Sequence, residues 1–97
     1  MRVEWRPLAN EDLAGIRRFI ARDDKAQARR FGAELRKKVA VLSEHPEIGR
    51  ALDLDVPPGI RVLVLHENYL AYYRIVEVGQ ESFVQVLRIK HAAQSRI

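Results

Sequence analysis

The chain has no cysteine, and its three histidines stand far apart at positions 45, 66 and 91. The missing thiols exclude a disulfide framework and a thiolate-held zinc. The scattered histidines show no carboxylate–histidine spacing that would hold a metal. The five glycines form no phosphate-cradling loop. No run approaches the ~20 apolar residues needed to cross a bilayer. The opening Met-Arg-Val-Glu-Trp also lacks the apolar core of a secretory signal. These absences predict a soluble, cytoplasmic protein with no cofactor, no metal and no membrane partner.

Ninety-seven residues that are 47% hydrophobic and 31% charged fit one globular domain spanning 1–97. Its net charge is +4, and thirteen arginines outnumber four lysines. Arginine matches carboxylate and phosphate geometry in a forked pair, so the surplus fits an acidic protein segment or nucleic acid. Its bland alternative is solubility.

Arg2 to Trp5 alternates in polarity and predicts a short strand ended by Pro7. Asn10 reads as a helix N-cap, with Glu11 and Asp12 in the first turn and Leu13, Ile16 and Ile20 at helical spacing. Asp24, three residues before Gln27, starts a second helix running to about Leu42. Its buried stripe is Ala28, Phe31, Leu35, Val39 and Leu42. The short join makes the two helices an antiparallel hairpin. Pro46 stops the second helix, and 47–59 is a long connection. Strands follow at 60–65, 69–78 and 81–90, with turns at His66-Glu-Asn68 and Gly79-Gln80. The expected fold is α+β: an N-terminal strand, a helical hairpin, then a three-stranded antiparallel meander.

Two-residue closure at Gly79-Gln80 pairs Val78 with Glu81, Ile75 with Val84, Tyr73 with Val86 and Ala71 with Arg88. Pairing Leu65 with Tyr69 sets Arg61 opposite Tyr73. One face then holds Arg61, Leu63, Leu65, Tyr69, Ala71, Tyr73, Ile75, Val84, Val86 and Arg88. The other holds Ile60, Val62, Val64, Leu70, Tyr72, Arg74, Val76, Phe83, Leu87 and Ile89. This second face is the more continuously apolar, so it is expected to receive the helices. Arg74 is a misfit there and needs a partner or a place at the margin. The first face would carry Arg61, Arg88 and Lys90 to one edge, with His91 following.

Val3-Glu-Trp5, Asp12-Leu13, Phe19-Ile-Ala21, Ala28 with Phe31, and His45-Pro-Glu-Ile-Gly-Arg50 occur in this order. Pro58-Gly-Ile-Arg61, Tyr72-Tyr-Arg74 and Val86-Leu-Arg-Ile-Lys-His-Ala92 complete the series. In order and spacing this resembles the RelE/ParE toxins of bacterial type II toxin–antitoxin systems, closer to the ParE branch. The resemblance implies a cognate antitoxin as partner. It also implies one of two targets: DNA gyrase for ParE-like members, or messenger RNA on the ribosome for RelE-like nucleases. A non-toxic binding module of the same fold is a third possibility.

For RNA cleavage the candidates are His91 as acid or base, Arg61 and Arg88 as a phosphate clamp, and Tyr73 or Tyr69 as a stacking ring. For contact with a target or antitoxin they are Arg50, Arg61, Tyr69, Tyr73, Arg88, Lys90 and His91. Each has a structural alternative. The arginines could pair with Glu67, Glu77 or Glu81, the tyrosines could be core, and His91 could be a tail contact. RelE-like nucleases tend to carry lysines where this chain reads Ala-Leu-Asp-Leu-Asp-Val over 51–56. That departure and the modest net charge favour gyrase inhibition.

Overall fold

The computed structural model describes residues 1–52 and 57–94. Strand β1 (Arg2–Trp5) leads into helices α1 (Pro7–Ala21) and α2 (Lys25–Ala40). A 3-10 turn at Val41–Ser43 precedes strands β2 (Arg50–Ala51), β3 (Arg61–His66), β4 (Tyr69–Val78) and β5 (Glu81–His91). The strands form one sheet in the order β1-β5-β4-β3-β2, antiparallel except where β1 runs parallel to β5. The expected α+β architecture is therefore present.

Helix α1 starts at Pro7, three residues before the expected cap. Proline has no N–H and a helix-compatible φ, so it suits a first turn. Asn10 is already helical, its N–H donating to Arg6 O at 3.1 Å. Asp12 consequently lies in the second turn. Helix α2 begins as expected: Asp24 Oδ1 accepts from Gln27 N at 3.0 Å. Its stripe is also as expected, with Ala28, Leu35, Val39 and Leu42 buried and Phe31 half-buried. Gly32 allows α1 to approach, since a Cβ there would lie 2.6 Å from Arg17 Cδ.

The connection after α2 is not a plain loop. Arg50–Ala51 pairs with β3, and Leu52 N donates to Ile60 O. Residues 53–56, part of the acidic-apolar segment, lie outside the described residues.

The Gly79-Gln80 hairpin has the expected register from Val78↔Glu81 to Tyr73↔Val86, and Gly79 supplies the positive φ of 61°. Beyond it the register shifts between Tyr72 and Tyr73. Ala71 therefore faces Ile89, not Arg88, and Tyr72 faces Arg88. At the other turn His66, not Leu65, pairs with Tyr69, while Arg61 stays opposite Tyr73.

The helices pack on the face opposite to the one expected. Leu65, Ala71, Tyr73, Val84 and Val86 join Leu13, Leu35, Val39 and Leu42 in the main core. The shift also brings Ile89 into that core. On the other face Ile60, Val62 and Tyr72 form a small cluster with Leu52, Leu70 and Leu87. Val64 stays exposed there. Arg74 lies on this open side, exposed, with Nε donating to Gln85 Oε1 at 2.8 Å. The cost of an unpaired buried charge does not arise.

Candidate functional site

The predicted site residues divide into two places. Arg61 and Tyr73, cross-strand partners, hold the segment after α2. Arg61 Nη1 donates to Gly49 O at 2.8 Å and Glu47 O at 3.2 Å. The Tyr73 hydroxyl donates to Pro46 O and accepts from Gly49 N, both at 2.8 Å. Its ring is wholly buried. Burial pushes the Tyr73 phenol above its ordinary range, outweighing the Gly49 hydrogen bond and nearby Arg61, which favour the phenolate. Gly49 has no room for a side chain, because a Cβ would sit 2.6 Å from the Tyr73 ring. Arg50 follows in β2 and is exposed.

Arg88, Lys90, His91 and Tyr69 line a second place, an open groove of about 450 Å³ between α1 and the far ends of β4 and β5. Strand β1 stops pairing at Val86, which leaves the β5 backbone beyond it without a strand neighbour on that side. Asp12 from α1 fills this gap. Its Oδ2 accepts from Arg88 Nε at 2.8 Å and from Ile89 N at 2.9 Å, and its Oδ1 accepts from Arg88 Nη2 at 2.9 Å. The forked pair raises the Arg88 pKa above its usual value despite some desolvation. Arg88 thus pairs with Asp12, not with Glu67, Glu77 or Glu81. Arg61 and Arg88 do not form one clamp: they belong to strands separated by β4 and have different partners.

Next to the groove, four rings from four elements pack edge to face. Tyr69 lies 5.5 Å from Phe31 and 5.2 Å from His91, while Phe31 lies 5.2 Å from His66. Each histidine accepts a hydrogen bond at Nδ1, His66 from Asn68 N and His91 from Ala93 N. On the groove's α1 wall Phe19 is 66% exposed, and Lys90 is half-exposed on the strand side. Sequence reading missed Asp12, Phe19 and His66 as parts of this place. Asp12 looked like a helix-start acid, and its arginine is 76 residues away.

As chemistry, the groove offers an apolar wall and a cationic edge rather than a set of free phosphate-binding groups. A helical hairpin on such a sheet, with a groove beside the last strand, is the α+β architecture that the resemblance to the RelE/ParE toxins implies. The sequence model described as ParE toxin of type II toxin-antitoxin system, parDE, matches residues 3–96, and the chain belongs to that family. A solved structure titled as the chromosomal ParDE TA system from P. aeruginosa is 25% identical with TM-score 0.75. That comparison covers 94% of this chain and 95% of the other. A YoeB/ParE toxin from Agrobacterium tumefaciens is 18% identical with TM-score 0.66, covering 94% and 98%, and shares the fold. No curated protein sequence gives a significant match. Among the described residues no helix is long and apolar enough to cross a membrane.

Proposed function

We propose that the chain arrests growth by poisoning DNA gyrase through surface contact, in the cytoplasm, and is silenced by a cognate antitoxin. The observation that supports this reading over RNA cleavage is the engagement of the candidate catalytic groups. Arg88 is forked on Asp12, Arg61 is bonded to two carbonyls, and the Tyr73 ring is buried with its hydroxyl satisfied. Stabilising a phosphorane-like transition state needs cationic donors aimed at the charge that develops. Freeing these three groups would break contacts that hold the fold. His91 is half-buried beside Tyr69, and one imidazole does not supply acid, base and charge stabilisation together.

For the antitoxin, the α1–β5 groove fits an amphipathic acidic segment. Ile16 and Phe19 would receive apolar side chains, and Lys90 would meet a carboxylate. Arg88 contributes less, because Asp12 already neutralises it.

The test is a supercoiling assay with purified gyrase, run beside ribosome-dependent cleavage of messenger RNA with the same preparation. Gyrase inhibition without RNA cleavage supports the proposal. Cleavage without inhibition refutes it, and inactivity in both assays together with harmless expression points to the non-toxic module.

A further inference from the structure

Positive charge is concentrated in the helical hairpin. Residues 17–38 carry nine Lys and Arg against three Asp and Glu, a local net of +6 where the whole chain has +4. Counting Glu11 and Asp12 of α1, the helical hairpin from 7 to 40 carries nine Lys and Arg against five Asp and Glu, a net of +4 that equals the net charge of the whole chain.

Within the hairpin the charge has a direction. At 3.6 residues per turn, Lys25, Arg29 and Arg36 fall on one stripe of α2 beside Gly32. The stem of Arg17 from α1 crosses at Gly32, whose missing Cβ makes the space. The four cations therefore follow the seam between the helices. Arg36 is steadied over the Trp5 ring at 4.9 Å. All four residues are exposed, and among the described residues none of the four makes an ion pair. Elsewhere on the hairpin Arg18 pairs with Glu11 and Arg30 donates to Gln27, while Arg22, Lys37 and Lys38 make no ion pair among the described residues. Asp24 is spent on the α2 cap, and Glu34 lies on the opposite side of α2.

We infer that this seam is a sequence-independent binding surface for the phosphates of duplex DNA. Three features select that occupant. The stripe from Lys25 to Arg36 spans about 16 Å, or roughly five base-pair steps, which suits the regular phosphate rows of a rigid duplex. The seam lacks apolar anchors: Ala26 and Ala33 flank it, and α2 carries none of the large hydrophobic residues exposed among the described residues. A protein partner or a membrane surface would need such anchors. Single-stranded nucleic acid would need free stacking rings, and the nearby Trp5 is covered by Arg36.

Fluorescence anisotropy of a labelled duplex with the full chain, across a salt series, tests the surface independently of gyrase. Each phosphate neutralised contributes about 0.9 to the slope of log affinity against log salt, so four cations give roughly 3.6. Lys25→Gln with Arg29→Gln should lower the slope by about 1.8 at unchanged circular dichroism. The charge-matched pair Lys38→Gln and Arg74→Gln, off the seam, should leave it near the original value. An equal fall in both variants, or none in the first, overturns the assignment. So does tighter binding of the single strand, or displacement of the duplex by polyglutamate at lower concentration than by unlabelled duplex.

Discussion

Asp12→Asn is the most informative single change in the groove. The carboxylate accepts three hydrogen bonds, two from Arg88 and one from the Ile89 N–H. The Asp12 side chain is 16% exposed and that of Arg88 30%, so solvent screens the pair only in part. Asparagine keeps an acceptor for Ile89 but turns an NH2 group towards a guanidinium that also only donates. A hydrogen bond to a charged group is worth about 1.5–3 kcal/mol, and a fully buried pair costs about 3–5 kcal/mol to break. Partial exposure places the expected loss near the lower range, about 2 kcal/mol. For a domain of this size that lowers Tm by about 8–16 °C. Thermal melts by circular dichroism measure it, and repeating the change in an Arg88→Ala background isolates the pair. There the same substitution should cost under about 1 kcal/mol, since only the Ile89 contact remains. Equal losses in both backgrounds, or a Tm unmoved in the first, would show that the fork contributes nothing.

Leu35→Ala, at a position 1% exposed, should cost about 2–5 kcal/mol in denaturant unfolding, and a variant of full stability would remove α2 from the core as described. Tyr73→Phe strands Gly49 N and Pro46 O and should cost about 1–3 kcal/mol by the same measurement. The raised Tyr73 pKa also has a pH signature. Above about pH 10 the unfolded chain loses this proton first, so folding stability is complete below that pH and falls as pH rises towards the folded pKa. An alkaline melt series should show the fall in the wild type and a smaller one in Tyr73→Phe. His91→Ala should change gyrase inhibition only modestly, whereas a general acid or base would lose about a hundredfold or more in RNA cleavage.

Element order was legible because local punctuation is strong. Pro7, Asp24, Pro46 and the Gly79-Gln80 pair each act within a few residues, and each marks a boundary in the structure to within a turn. The choice of sheet face was not legible from apolarity. Tyr73, a candidate site residue with a core alternative, is the largest fully buried side chain among the described residues, because Pro46 and Gly49 satisfy its hydroxyl from 27 and 24 residues away. The register shift at Tyr72 and Tyr73 has no glycine or proline to announce it. It reverses the facing of β5 beyond Val86 while Ala71 and Tyr69 of β4 stay on the side of Tyr73, which is how Ile89 came to the core and Arg88 lost its expected partner Ala71.

The same shift bears on the tail that carries Lys90 and His91. A strand end without a neighbour on one side would ordinarily fray. Here Asp12 binds the β5 backbone at Ile89, Ala92 N donates to Asn68 O at 2.8 Å, and the His91 ring packs on Tyr69. Three contacts from three elements therefore fix the groove's strand wall. Ile89 and Tyr69 join the wall to the main core, while the Asp12 contact sits at the wall's edge, so its loss is expected to loosen the wall before the domain unfolds. A growth-arrest phenotype lost through Asp12→Asn at a temperature where the variant remains folded would thus report on the wall's position rather than on global stability.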